Sequence, residues 1–128
     1  MKKLWMIAFL SLLLLCGCAK NTPSSSSAAP VDDGTRPAVR IIAGGEERVY
    51  ALPESGQRRI TIRQQTPEGE IINRLRLTPE GIYMEESTCP GQDCVEQTMA
   101  TVDNWEFRTL GAFVICLPNQ VSAELLTE

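Results

Sequence analysis

The sequence predicts a mainly β fold: a small single-domain barrel or sandwich of about six to seven short strands with one short helix near residues 93–100. Two observations predict it. From residue 38 to residue 128, short runs with Val, Ile and Tyr alternate with Gly and Pro, the usual punctuation between strands. This part of the 128-residue chain is also only large enough for one domain.

Seven runs carry the strand pattern. In residues 59–63 the apolar side chains fall at every second position, so one face should be buried and the other wet. Residues 78–81 (TPEG) and 66–69 (TPEG) place Pro and Gly where a tight turn needs them, and Gly44-Gly45 predicts a third hairpin turn. The predicted strands are 39–43, 49–52, 59–63, 70–77, 82–86, 113–117 and 121–125.

The predicted helix begins at Asp93. Asp93 can cap a helix, and Glu96 three residues later completes a capping box, after which apolar side chains follow at helical spacing. Cys94 would be the first helical residue, with its sulfur near the positive end of the helix dipole. A polar loop crossing one end of the fold is the alternative.

The N-terminus has the pattern of an export signal. Lys2 and Lys3 precede an apolar run from residue 4 to residue 16, which is too short to favour a membrane-spanning helix of roughly 20 residues. Residues 15–18 (LCGC) resemble a bacterial lipobox, which implies a lipoprotein signal peptide at 1–17 and a lipidated Cys18 as the first mature residue. Cys16 would then be lost. A plain secreted protein is the alternative.

Residues 18–37 form the predicted linker. They include Ser24 to Ser27 in a row together with Ala and Pro, so they have almost nothing to bury and should stay disordered. A Ser-rich tether suits a domain that is lipid-anchored to the outer face of the cell membrane, because more than one acyl chain holds firmly.

Composition excludes several classes of enzyme. The chain has no histidine, which excludes a Ser-His-Asp or Cys-His pair, an imidazole base and the common His-containing zinc sites. No carboxylate pair, phosphate loop or metal motif is evident elsewhere, so we expect neither catalysis nor a cofactor. The whole chain has a net charge of -4, and the mature chain one of -6 because Lys2 and Lys3 are lost.

Two motifs resemble those of the NusG domain II-like proteins. They are residues 87–90 (STCP) with Cys94-Val95 after them, and residues 114–119 (VICLPN). The resemblance covers residues 39–125 and implies a compact β-rich domain similar to the one inserted in some bacterial NusG transcription factors. Exported or lipid-anchored stand-alone versions are common in this family, mostly in Gram-positive bacteria. The chain has no room for the polymerase-binding and KOW domains of NusG, so we expect no transcription role.

Nucleic-acid binding is not expected. The folded part has no lysine, and its arginines are interleaved with acids. Solvated, outward-facing arginines are favoured over a local basic patch, whose candidate members are Arg59, Arg63, Arg74 and Arg76. Trp105 and Phe107 are predicted to be core residues and not a stacking platform for bases.

Three cysteines remain in the mature domain: Cys89, Cys94 and Cys116. A structural disulfide is the first interpretation, with Cys89 and Cys94 as the favoured pair and Cys116 as a buried thiol or another partner. It would add roughly 2–4 kcal/mol of stability. A metal site is the second, and its fourth ligand would have to be a carboxylate such as Asp93. Redox chemistry is the third, with Cys94 attacking and Cys89 resolving.

The sequence therefore predicts a cell-surface lipoprotein with a small binding or accessory module of undetermined partner and no catalysis of its own. Its expected partners are the membrane, through the lipid anchor, and a membrane-protein complex; we expect a monomer. The rival hypothesis is a thiol-disulfide or electron-transfer accessory that uses Cys89, Cys94 and Cys116.

Overall fold

The computed structural model describes residues 36–127, which form a β sandwich of two four-stranded antiparallel sheets. The mainly β fold is confirmed, as a sandwich and not as a closed barrel. The predicted signal peptide 1–17, Cys16, Cys18 and the linker up to residue 35 lie outside the described residues. The strands are β1 (Ala38–Ala43), β2 (Glu46–Ala51), β3 (Arg58–Thr66), β4 (Gly69–Leu77), β5 (Gly81–Ser87), β6 (Ala100–Thr101), β7 (Phe113–Cys116) and β8 (Val121–Leu126).

The first sheet has the order β2-β1-β8-β7 and the second the order β3-β4-β5-β6. All three predicted hairpin turns form. Gly44 and Gly45 have φ of 58° and 81°, the left-handed backbone that a two-residue hairpin loop requires and that glycine adopts most easily. At the β4–β5 turn, the Thr78 N–H donates to the Gly81 carbonyl at 2.8 Å. The seven predicted strands therefore all exist, with small changes at their ends.

The core lies between the two sheets. Alternate residues of several strands point inward, as in β8, where Val121, Ala123 and Leu125 are buried and the residues between them are half-buried. Each fully buried aliphatic side chain of this kind contributes about 1.5–3 kcal/mol. The largest fully buried side chains come from both sheets: Leu75, Leu77, Ile82, Met84, Val39, Val114, Val121, Asn73 and Cys116.

The helix is shorter than predicted. It is the single turn α1 (Asp93–Glu96), its N-cap is Gln92 with φ of 59°, and no side chain caps it, so the predicted capping box of Asp93 and Glu96 is wrong. The residue after it, Gln97, is extended. Ala100 and Thr101 then form the unpredicted strand β6, because pairing with β5 overrides the local helical pattern.

The core prediction for Phe107 is wrong. Phe107 belongs to a 3₁₀ turn over Trp105–Phe107, and its side chain is 87% exposed, whereas Trp105 is half-buried. The sequence spacing of two suggested a strand, in which both rings would face the core. A 3₁₀ turn rotates the chain by a third of a turn per residue, so the two rings point in different directions.

Four of the five arginines of the second sheet are paired with acids, and the fifth, Arg58, lies over the Tyr50 ring. Arg59 and Arg76 both donate to the Glu85 carboxylate, and the Arg59 Nε to Glu85 Oε2 distance is 2.7 Å. Hydrogen bonds from Arg59 first and Arg76 second lower the pKa of Glu85 to about 2. Arg74 pairs with Glu86 and Arg63 with Glu70. No helix within residues 36–127 has the length and apolar character needed to cross a membrane.

Candidate functional site

The three cysteines of the domain meet at one place. Cys89 lies in the loop after β5, Cys94 in α1 and Cys116 at the end of β7. Their Sγ atoms all lie within 4.8 Å of one another, and those of Cys89 and Cys94 are 3.4 Å apart. All three side chains are buried, with 3%, 2% and 1% exposure. We refer to these three side chains as the thiol cluster.

The loop between β5 and α1 brings the first two cysteines together. The Gln92 side-chain amide donates to the carbonyls of Ser87 and Cys89, at 2.8 and 2.6 Å. The left-handed backbone of Gln92 then reverses the chain, and the Val95 N–H donates to the Gln92 carbonyl at 2.9 Å. The chain therefore turns back on itself, so that Cys94 contacts Cys89.

Gln97 connects this loop to the other sheet. Its side-chain amide donates to the Ile115 carbonyl at 2.6 Å, and the Ile115 N–H donates to the Gln97 side-chain carbonyl at 2.9 Å. The amide thus takes the place of a neighbouring strand at the edge of β7. Because Cys116 follows Ile115 directly, this contact fixes the third cysteine relative to the helix that carries Cys94.

A buried polar network of Asn73, Ser87 and Asn119 lies beside the thiol cluster. The Asn73 Nδ2 and Asn119 Nδ2 atoms donate to Ser87 Oγ at 3.1 and 3.3 Å, and Asn119 Nδ2 also donates to Asn73 Oδ1 at 2.8 Å. Ser87 Oγ accepts the Cys89 N–H at 3.1 Å and lies 3.5 Å from the Cys116 Sγ. Ser87 therefore links the network to two of the three cysteines.

Sequence analysis did not identify this network. Asn73, Ser87 and Asn119 are 0%, 7% and 5% exposed. Only one signal pointed to them: Asn73 occupies an inward position of a predicted strand, where an apolar residue is the rule. Asn119 belongs to the VICLPN motif, but this motif does not predict a buried side-chain amide.

A pocket of about 160 Å³ opens over the cluster. All three cysteines line it, and its other lining residues include Leu110 and Leu117, which are 39% and 79% exposed. Asp93 is the one ionisable side chain besides the cysteines among the residues that line this pocket. The sulfurs therefore form the floor of a mostly apolar depression.

The thiols differ in acidity. Burial raises the pKa of the Cys94 thiol to about 12. Burial also acts to raise the pKa of Cys89, but hydrogen bonds from Ser87 and from the other two thiols outweigh it and lower that pKa below its ordinary value. A raised pKa does not favour Cys94 as the attacking thiol of the redox hypothesis: the helix is one turn long and Cys94 is its buried second residue, so little dipole acts on the sulfur.

The predicted Cys89 to Cys94 bridge stays a prediction. The structure has all three cysteines as free thiols, and the 3.4 Å between the two sulfurs must shorten to about 2.05 Å for a bond. The separation is short enough for a small side-chain movement to close it.

The chemical state of the three cysteines can be measured on a variant of the full chain in which Ser replaces Cys16 and Cys18. We call this protein the three-thiol variant. Purified in air, it should contain one Cys89 to Cys94 disulfide and one buried Cys116 thiol, identified by mass spectrometry after alkylation with and without reductant. Reduction should lower the free energy of unfolding by about 2–4 kcal/mol without changing the fold. Three free thiols, or a linkage to Cys116, would contradict this prediction.

The comparisons with known proteins identify the family. The family described as NusG domain II matches residues 6–128. A solved DUF1312 family protein from Ruminococcus gnavus is 30% identical, with 70% of this chain and 96% of that chain covered and a TM-score of 0.45. The Lin0431 protein of Listeria innocua is 22% identical, with 71% and 95% covered and a TM-score of 0.54. A DUF1312 family protein from Enterococcus faecalis is 14% identical, with 72% and 98% covered and a TM-score of 0.53.

The similarities to the Listeria and Enterococcus proteins show the fold alone, because these proteins are only 22% and 14% identical to this chain. No curated protein matches the chain. The match over residues 6–128 includes the whole sandwich and both cysteine motifs, and on this ground the chain belongs to the NusG domain II family.

Proposed function

We propose that the protein is an exported lipoprotein whose β sandwich is a binding or accessory module beside a membrane-protein complex and catalyses no reaction itself. The observation that carries this proposal is the pair Leu110 and Leu117 at the pocket, 39% and 79% exposed. Large apolar side chains exposed around a depression are typical of protein-binding surfaces.

The chemistry of the pocket argues against catalysis. The chain has no histidine to act as a base beside a thiol. Burial raises the pKa of Cys94 to about 12, so this thiol stays protonated, and therefore weakly nucleophilic, at neutral pH.

The electrostatics argue against nucleic acid as the partner. Arg59 and Arg76 share the carboxylate of Glu85, and most other arginines of the sandwich contact an acid in the same way. A phosphate would have to displace these carboxylates, and the mature chain has a net charge of -6.

The tether restricts where the partner lies. If Cys18 carries the lipid, the 20 residues 18–37 reach at most about 70 Å when fully extended. A membrane protein, or a protein attached to one, lies within this distance of the bilayer.

Replacing Cys18 by Ala tests the anchor. We expect C18A to lose all labelling by a fatty-acid analogue and to leave the membrane fraction or accumulate as an unprocessed precursor, because the lipidated sulfur is gone. Replacing Cys16 by Ser is the matched control and should leave labelling intact, since Cys16 lies in the part that is removed. Labelling that persists in C18A would refute the assignment.

A photo-crosslinking side chain at position 117 tests the binding surface. In intact cells, we expect a discrete adduct with a membrane-associated protein from position 117, because Leu117 is 79% exposed beside the pocket. Position 57 is the control: Gln57 is also exposed but does not line the pocket, and no such adduct should form there. Identical adduct patterns at both positions, or none at 117, would contradict the proposed surface.

Thiol-disulfide exchange is the second candidate function. It is favoured by the mutual proximity of the three sulfurs, which lets Cys116 approach either sulfur of a Cys89 to Cys94 bridge. The low exposure of all three thiols, 3% or less, argues against it, because an external disulfide would have to enter the pocket to be attacked. Rapid alkylation of the folded, reduced three-thiol variant well below pH 8 would favour this function over the binding module.

A further inference from the structure

We propose that the reduced thiol cluster is a binding site for one thiophilic metal ion, Cu(I), held by the thiolates of Cys89, Cys94 and Cys116. The proposal goes beyond the binding module described above and does not depend on it. Three buried sulfurs, from the loop after β5, from α1 and from β7, lie within 4.8 Å of one another. A disulfide needs only two sulfurs, whereas a metal site explains the position of the third.

The spacing of the sulfurs fits three bonds to one ion. Metal to sulfur bonds of about 2.3 Å, directed to the corners of a triangle, place the sulfurs about 4.0 Å apart. The observed separations are compatible with this value, since Cys89 and Cys94 are 3.4 Å apart and all three sulfurs lie within 4.8 Å of one another. Small side-chain rotations therefore complete the site.

The number of ligands favours Cu(I) over Zn²⁺. Structural zinc is four-coordinate, and among residues 36–127 no fourth His, Cys, Asp or Glu joins the three cysteines at ligand distance. Asp93 lines the same pocket but is exposed and is not part of the close group. Thiolates bind Cu(I) strongly, and three of them satisfy its coordination, so no fourth ligand is needed.

The surrounding hydrogen bonds suit a metal-bound thiolate. Ser87 Oγ lies within hydrogen-bond distance of N–H groups of Asn73, Asn119 and Cys89, so its two lone pairs are used and its own hydrogen is available to the Cys116 sulfur 3.5 Å away. A hydroxyl that donates to a sulfur stabilises a thiolate and not a thiol, and groups of this kind orient metal ligands. The buried network thus supplies a donor where a ligand would need one.

Binding is linked to protons and to the redox state. Up to three thiol protons leave as the ion enters, so the affinity should fall as the pH is lowered. The sulfurs of Cys89 and Cys94 cannot form a disulfide while they bind the ion. The metal site therefore belongs to the reduced protein, and the bound ion withdraws both sulfurs from bridge formation.

The test is an anaerobic titration of the reduced three-thiol variant, in detergent, with Cu(I) supplied as its acetonitrile complex and a chromophoric Cu(I) chelator as competitor. We expect saturation at one ion per chain, with a thiolate-to-copper absorption band in the ultraviolet. X-ray absorption should then show three sulfurs at about 2.3 Å from copper. C116S should weaken Cu(I) binding at least tenfold. Removing a group that only hydrogen-bonds to a metal ligand already lowers metal affinity by about that factor, and C116S removes a ligand itself.

The control variant is Asp93→Asn, which should bind Cu(I) as the parent does, because no carboxylate takes part. The proposal is overturned if X-ray absorption of the parent shows two sulfurs bound to copper, or if the parent does not bind Cu(I) at one ion per chain. It is also overturned if C116S binds Cu(I) as tightly as the parent does, or if the parent binds Zn²⁺ more tightly than Cu(I) in a way that depends on Asp93. The sulfur count is taken on the parent, so the test does not depend on C116S folding.

Discussion

Gly81→Ala should lower the free energy of unfolding by at least about 3 kcal/mol, enough to unfold much of a marginally stable domain. A Cβ at this position would lie 1.9 Å from the Ala100 carbonyl oxygen and 2.8 Å from the Thr101 Cα. These are backbone atoms of β6, which pairs with β5 at Gly81, so no side-chain rotation relieves the clash. The substitution must separate β6 from the sheet.

Thermal unfolding of the three-thiol variant, with and without the substitution, measures this effect. Gly45→Ala is the control: its backbone has φ of 81° but nothing lies within 4 Å of the added Cβ, so only strain of about 1 kcal/mol is expected. A Gly81→Ala protein as stable as the Gly45→Ala protein would show that the β5–β6 contact contributes nothing to the fold.

The same contact explains where sequence analysis failed in the fold. The strands and hairpins were predictable because their signals are local: alternating polarity within a run such as 59–63, and Pro and Gly at fixed places in the 78–81 turn. Whether residues 97–101 continue the helix or form a strand depends instead on Gly81, some 20 residues earlier. Gly81 has no Cβ, and this leaves room for the Ala100 carbonyl. No pattern within 93–100 contains that information.

The candidate site was predictable to a similar extent. The three cysteines could be found by counting, and the proximity of Cys89 and Cys94 followed from their short separation. The approach of Cys116 depends on how one sheet packs on the other. The raised pKa of Cys94 depends on burial, and burial is not a property of the helix-capping pattern that predicts its sulfur near the helix N-terminus.

The polar network under the cluster is harder still to foresee. Asn73 lies in β4 of one sheet and Asn119, 46 residues later, in the turn between β7 and β8 of the other sheet, yet their side chains meet at 2.8 Å. Asn73 pairs with Ser87 across β4 and β5, and the register of these strands shifts at Arg74/Leu75. Strand register and its irregularities follow from tertiary packing, so neither partner could be assigned from the sequence.

Asn73→Ala should lower the free energy of unfolding by about 2–4 kcal/mol, because it leaves the buried Asn119 amide and Ser87 hydroxyl short of partners and opens a cavity. It should also make Cys116 alkylate faster in the folded, reduced three-thiol variant, since Ser87 would no longer be fixed beside the Cys116 sulfur. Urea unfolding measures the first effect and the rate of alkylation below the unfolding transition measures the second.

Gln64→Ala is the matched control for this prediction. The Gln64 side-chain amide also donates to Asn119, to its backbone carbonyl oxygen at 2.8 Å. Gln64 is partly exposed, so water can replace this hydrogen bond when the side chain is removed. Its removal should cost about 1 kcal/mol or less and leave the alkylation rate unchanged. If Asn73→Ala lost stability but not protection of Cys116, the network would support the core alone. Faster alkylation at Cys116 would instead show that the asparagines hold Ser87 against the sulfur, and so set the geometry on which the proposed metal site depends.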